Sequence, residues 1–215
     1  MIVEQIMKTE VYTLTPENTL NDALNMMRDK NIRHIPIVDE EGNIVGLITS
    51  HDVKNALPSC VKEEDACSIY ETPIEKFMVK DIILGHPLDF VEDVAMTFYE
   101  SKISCLPIVS GGKLVGIVTT SDLLNAYIEL TGAHQPSSKI DIRLKDKVGT
   151  LADVLILFKK HYANVLSILV FPDAEHENSR IISIRVRMMN PLPIIKDLRD
   201  HGYEVLWPNV PGVNV

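Results

Sequence analysis

IRHIPIVDEEGNIVGLITSHDV (32–53) and ISCLPIVSGGKLVGIVTTSDL (103–123) decide the fold once one is laid over the other. Pro36 falls on Pro107 at an offset of 71, and Gly46, Thr49 and Asp52 fall on Gly116, Thr119 and Asp122 at an offset of 70. The residue lost between them lies where DEEGN (39–43) becomes SGGK (110–113), a turn, and turns tolerate deletion. Upstream the offset of 71 continues through Met7 and Met78, Pro16 and Pro87, and Asp22 and Asp93. The first 125 residues are therefore one supersecondary unit used twice.

Both copies predict the same element order. A short extended stretch (10–14 and 81–84) leads into a helix, marked by Leu20, Ala23, Leu24 and Met27 in copy one and by Val91, Val94, Ala95 and Phe98 in copy two. These spacings place one apolar stripe on a helical face. Thr19 with Asp22, and Asp89 with Glu92, have the form of N-terminal capping pairs. Two short β-rich runs follow across a glycine-bearing turn, and Asp52 and Asp122 open second helices. Gly132 is suited to ending the latter. The unit is β-α-β-β-α.

Residues 54–76, with CVKEEDAC at their centre, lack an apolar period and are expected to be a linker. TGAHQPSS (131–138) marks a domain boundary. Beyond it KIDIRLK (139–145) alternates as a strand, and Leu151, Val154, Leu155 and Phe158 form a helical stripe. VLSILVF (165–171) is a strand, and RIISIRVRM sets Ile182, Ile184, Val186 and Met188 on one face. PLPIIKDLRDHG has proline at its start and glycine at its end, as helices do, and YEVLW closes the run as a strand. The expected order is β-α-β-β-α-β, that of a ferredoxin-like domain, and the whole chain is of the α/β (α+β) class.

Composition narrows the function. Hydrophobic residues make up 46% and charged ones 24%, as in chains that bury a core. Twenty-one basic against 30 acidic residues give a net charge of −9, which disfavours nucleic acid and anionic membranes as partners. No apolar run is long enough to span a bilayer, and MIVEQIMKTE has no basic leader, so a cytoplasmic protein is expected. Cys60, Cys67 and Cys105 form no CxxC pair, and the seven histidines include no HExxH, so no metal site is expected. No nucleophile–base motif, Walker loop or GxGxxG is visible, so an enzyme is not expected. The methionines have the character of core filler, and Arg180, Arg185 and Arg187 that of a solvated strand face.

The repeated apolar-x-Pro followed by G-apolar-x-T-x-x-D resembles the signature of CBS domains, which fold as tandem pairs and usually bind adenine nucleotides. The carboxy-terminal segment resembles an ACT domain in element order and in Asp146, Lys147, Gly149 and Leu151. The resemblance implies CBS domains at 1–60 and 72–132 and an ACT domain at 138–215. It implies an adenine nucleotide (AMP, ADP or ATP) as regulatory ligand, with no catalytic cofactor. The nucleotide would meet Arg33, His34, Pro36, Thr49, His51, Asp52, Leu106, Pro107, Thr119 and Asp122. An amino-acid-like effector would meet Asp146, Val148, Gly149 and Leu151. A homodimer acting on a partner protein is the implied assembly, and a ligand-free oligomerisation module is the alternative.

The chemistry of T-x-x-D stands apart from the resemblance. A carboxylate accepts two hydrogen bonds and so suits the vicinal hydroxyls of a ribose, while the N–H groups opening a helix suit phosphate. Thr49 and Asp52 would serve one such site, and Thr119 and Asp122 a second. Both pairs also have the form of simple helix caps. Many CBS motifs carry arginine before the aspartate, where this chain has His51 and Ser121. Copy one alone gathers cations, with Arg33, His34 and His51 against Ser104, Cys105 and Ser121. Gly149 could admit a ligand carboxylate to backbone N–H groups or merely meet a turn's geometry.

Overall fold

The computed structural model describes residues 1–56 and 69–208, which form two compact units, Met1–Leu124 and Asn125–Val215. Most of the expected linker, with Cys60 and Cys67, lies outside the described residues. In the first unit, copy one contains α1 (Leu20–Lys30), β1 (His34–Val38), β2 (Ile44–Thr49) and α2 (Ser50–Ala56). Copy two contains α3 (Val91–Ser101), β3 (Cys105–Ser110), β4 (Lys113–Thr119) and α4 (Thr120–Thr131). β1 pairs with β2, and β3 with β4, as antiparallel hairpins. The register slips at equivalent places, between Ile37 and Val38 and between Ile108 and Val109. The deleted residue is thus absorbed beyond the bulge, toward the tip.

The extended stretches at 10–14 and 81–84 do not become strands. Leu14 bridges Ile37, and Gly85 bridges Ile108, each in parallel and for a single residue. The next amides explain why. Thr15 N–H donates to Asn18 Oδ1 (2.8 Å) and His86 N–H to Asp89 Oδ2 (2.7 Å), so the chain turns away at once. Asp89 therefore closes this turn rather than capping α3. In copy one the box is present, since Thr19 and Asp22 bond reciprocally at 2.8 and 3.2 Å. In copy two Phe90 occupies the cap position and makes no such bond.

The two copies exchange their leading segments. Val3 N–H donates to Asp89 O (2.9 Å) and Glu4 N–H to Pro87 O (2.9 Å). The repeat-related bonds run from Ile74 N–H to Asn18 O (2.8 Å) and from Glu75 N–H to Pro16 O (3.2 Å). Val3 is buried with Val94, Phe98, Leu106, Ile108 and Val118 in copy two's core. Ile74 is buried with Leu20, Ala23, Met27, Ile35, Ile37 and Ile48 in copy one's. Each fully buried aliphatic chain contributes about 1.5–3 kcal/mol, so the exchanged residues are core members, not ornaments. Just beyond them, Lys8 and Ile117 exchange backbone bonds (3.0 Å each), as do Val79 and Leu47 (2.9 Å each).

The second unit holds β5 (Ser138–Lys145), α5 (Thr150–Lys160), β6 (Val165–Pro172), β7 (Ser179–Val186), α6 (Leu192–Asp200) and β8 (Glu204–Trp207). All neighbours are antiparallel in the order β6-β7-β5-β8, the topology of a ferredoxin-like β-α-β-β-α-β. Ile140, Ile142 and Leu144 of β5 pack with Ile182, Ile184 and Val186 of β7 beneath Val154, Phe158, Ile194 and Leu198 of the helices. The division between units falls within α4, ahead of the break expected at 131–138. The helix runs on through Thr131, whose Oγ1 donates to Tyr127 O (2.9 Å) and whose carbonyl accepts from Ser167 Oγ (2.8 Å). Gly132, at φ +64°, then ends it. Arg143 binds Asp173, Glu175 and Glu204 together. The Glu175 amide and the Arg143 guanidinium hold the Asp173 carboxyl down at about 2.

Gly46 and Gly116 are required by the exchange. A Cβ on Gly116 would stand 2.7 Å from Met7 Sδ and 3.2 Å from Lys8 O, and one on Gly46 2.6 Å from Met78 Sδ. Gly116→Ala should therefore cost about 1–3 kcal/mol through overpacking. Much of that cost should disappear in a Met7→Ala background, a coupling that urea unfolding of the four chains of a double-mutant cycle would measure. Additive losses would show that Met7 is not what confines Gly116.

Candidate functional site

Each T-x-x-D turn is built at a strand-to-helix junction. In copy one Asp52 Oδ2 accepts from Thr49 N–H (2.8 Å) and Thr49 Oγ1 (2.7 Å). Thr49 Oγ1 in turn accepts from the His51 and Asp52 amides at 3.2 and 3.3 Å. In copy two Asp122 Oδ2 accepts from Thr119 N–H (2.8 Å) and Oγ1 (2.6 Å). Both aspartates thus cap their helices through one oxygen. The second oxygen differs between the copies, because Asp122 Oδ1 lies 3.2 Å from Lys8 Nζ.

The hairpin pairing brings these turns beside the starts of β1 and β3. His34 is the register partner of Thr49, and Cys105 that of Thr119. Ser50 N–H donates to Arg33 O (2.9 Å), and Thr120 N–H donates to Ser104 O (3.1 Å). His34 Nε2 and Ser104 Oγ meet at 2.9 Å and tie the copies together. Burial and the adjacent Arg33 push the His34 imidazole below its ordinary value, with Asp52 opposing them. The Cys105 thiol is pushed up to about 12, first by burial and then by the Asp122 charge, which makes it an unreactive core group.

A cavity of about 520 Å³ opens between the copies, within the range of small-molecule sites. Thr49, Ser50 and His51 line it from one turn, and Thr119, Thr120 and Ser121 from the other. Arg33, His34 and Lys8 add basic groups, Glu10 an acidic one, and Val11, Tyr12, Ile32 and Ile117 an apolar wall. A flat ring system could lie against that wall while hydroxyl or phosphate oxygens meet the polar end.

Of the residues expected to bind nucleotide, Arg33, His34, Thr49, His51 and Thr119 share this one cavity rather than two separate sites. Asp52 and Asp122 are not among the lining residues, although Lys8, whose Nζ lies 3.2 Å from Asp122 Oδ1, is. Pro36, Leu106 and Pro107 are buried in the strands, where the Pro36 and Pro107 carbonyls accept from Leu14 (3.3 Å) and Gly85 (2.9 Å). Sequence reasoning missed Lys8, Val11 and Tyr12. For Lys8 a signal was available in the repeat, since Lys8 and Val79 are an offset pair differing in charge. In the second unit Asp146 pairs with Arg180 (2.9 Å), and Val148 is fully exposed. Gly149 has φ +95°, a conformation that by itself favours glycine, and Leu151 packs against the core.

The duplicated hairpin-and-helix unit, its paired T-x-x-D turns and the cavity between them define the class. The family model of the CBS domain matches residues 3–59 and 74–129, and the chain belongs to the CBS-domain family as a tandem pair. Among solved structures it is similar to a protein of Vibrio cholerae provisionally named acetoin utilization protein (AcuB). The identity is 33% and the TM-score 0.55, over 64% of this chain and 98% of that one. It is also similar to the CBS domain pair of protein MJ0100, solved in complex with 5′-methylthioadenosine and S-adenosyl-L-methionine. There the identity is 29% and the TM-score 0.51, over 63% of this chain and 98% of that one. Among curated relatives, MJ1225 of Methanocaldococcus jannaschii is 33% identical over 131 residues, 61% of this chain. The chain spans 43% of MJ1225 and 24% of a homoserine O-acetyltransferase of Methanococcus vannielii, less than half of either relative.

The depressed pKa of His34 gives a pH signature. An unfolded imidazole protonates near ~6.5, while the folded one resists until lower pH, so stability should fall as pH drops below about 6.5. His34→Gln removes this source of proton uptake. The stability difference between parent and variant, followed by urea unfolding from pH 8 to 5, should shift in the variant's favour on the acid side. A difference that stays constant with pH would show that His34 titrates alike in both states.

Proposed function

We propose that this protein is a non-catalytic regulatory ligand sensor whose CBS pair, at 1–60 and 72–132, binds an adenine nucleotide: AMP, ADP or ATP. The observation carrying this reading is the single cavity that gathers both T-x-x-D turns with Arg33, His34, His51 and Lys8. The adenosine-derived ligands of the MJ0100 pair support the choice of ligand class. Residues 138–215 act as an ACT domain, supported by their β-α-β-β-α-β topology. Its amino-acid-like effector would sit at the turn of Asp146, Val148, Gly149 and Leu151. Likeness to the Vibrio cholerae protein supports a role in acetoin or butanediol catabolism, exerted on a partner protein. Among the described residues no helix is long and apolar enough to cross a membrane, in keeping with a cytoplasmic place of action.

The protein works as a homodimer. On α3, Met96 is 59% and Tyr99 86% exposed, and the edge strand β6 exposes Leu169, Val170 and Phe171. Apolar helix faces and bare sheet edges are what second copies cover. The same exposure favours a second reading, a ligand-free oligomerisation module for a partner enzyme.

Thermal unfolding with AMP, ADP, ATP and S-adenosylmethionine separates the two. A ligand binding only the native state adds about 2.7 kcal/mol at a hundredfold excess over Kd. The Asp52→Ala/Asp122→Ala chain, compared with its own ligand-free state, should lose that gain. No stabilisation of the parent by any of them would favour the assembly module. Light scattering should find a dimer at micromolar concentration, and Met96→Glu/Tyr99→Glu should shift it toward monomer. A monomeric parent would contradict the assembly.

A further inference from the structure

Lys8 breaks the symmetry of the site. In both copies one carboxylate oxygen is saturated by its threonine, so only Oδ1 can meet a ligand hydroxyl. Backbone bonds to Ile117 in both directions hold Lys8 beside copy two's turn, and its Nζ lies 3.2 Å from Asp122 Oδ1. The repeat-related residue, held by the same pair of bonds to Leu47, is Val79, which carries no charge. The Asp122 side chain is 10% exposed and that of Lys8 64%, so the ammonium can leave the carboxylate without losing its access to water. Lys8 also lines the cavity, as does Arg33.

We propose that Lys8 makes the copy-two carboxylate selective for phosphorylated nucleosides over neutral ones, an inference resting on the nucleotide reading of this cavity. A neutral diol competes with the ammonium for Asp122 Oδ1 and offers it only a neutral hydroxyl oxygen in return. A phosphorylated ligand receives the ammonium on its phosphate while its hydroxyl takes over Asp122 Oδ1. The interaction lost is an ion pair with one exposed partner, and the one gained is a charge-assisted hydrogen bond to phosphate.

Calorimetric titration of the full chain with AMP and with adenosine tests this in the parent, Lys8→Met and Lys8→Arg. Methionine keeps the length and apolar stem, and the exposed position leaves the fold intact. In Lys8→Met, AMP should weaken and adenosine tighten, lowering the ratio of their affinities by about three- to tenfold. Lys8→Arg should keep the parent's ratio. If all three chains bind both ligands with one ratio, the role given to Lys8 is overturned while the nucleotide reading stands. If the parent binds neither ligand, both fall together.

Discussion

The exchange of leading segments between the two copies is the constraint on which the first unit depends. Val3 fills the core of copy two and Ile74 that of copy one, each fixed by backbone bonds into the other copy's pre-helix turn. Neither copy can complete its core from contiguous sequence. The pair therefore folds as one object, and the glycines at 46 and 116 follow from it, since Met78 and Met7 occupy the space a Cβ would need. The same exchange builds the site. Only because residues 1–12 cross to copy two do Lys8, Val11 and Tyr12 reach the wall of a cavity whose other walls come from residues 31–51 and 104–121.

This explains what was legible in the sequence. Periodicity and capping report local structure, so α1, α3 and the hairpins could be read from Leu20, Ala23 and Met27 and from the glycine-bearing turns. The repeat offset carried more, placing Thr49 over Thr119 and Asp52 over Asp122. The exchange was not legible, because Lys8 meets Ile117 across more than a hundred residues and no local pattern encodes that separation. The expected cap at Asp89 failed for a different reason. Asp89 and Glu92 have the spacing of a capping box, yet the Asp89 carboxylate serves the preceding turn by accepting from the His86 amide. The duplication itself held the clue, since Phe90 stands where Thr19 caps.

The second unit was more fully legible because its chemistry is simpler. Alternation along β5 and β7 sets Ile140, Ile142, Ile182 and Ile184 on one face, and that face is the core. What alternation could not reveal is the acidic cluster drawn around Arg143 of β5, with Asp173 and Glu175 from the β6–β7 loop and Glu204 from β8. Asp173 and His176 lie close enough to Glu175 to suggest a metal centre. The guanidinium already supplies the positive charge there. Gly149 is likewise explained first by geometry, through its positive φ, and an effector at that turn would exploit a conformation the chain already needs.

The two readings of T-x-x-D, helix cap and ligand site, are not rivals in this structure. Capping consumes Oδ2 of Asp52 and of Asp122 through short bonds to threonine, and in doing so it fixes the carboxylate plane. An aspartate free to rotate would surrender conformational entropy on meeting a ligand, whereas one already locked by its cap loses little more. The cap thus fixes the direction of Oδ1, and the two copies differ in what stands beside it. Beside copy two it is a lysine delivered from the first residues of the chain, while the repeat-related position in copy one holds valine. Besides His51 against Ser121 within the motif and Arg33 against Ser104 beside it, the two groups differ at a position outside the motif that only the exchange of segments brings there.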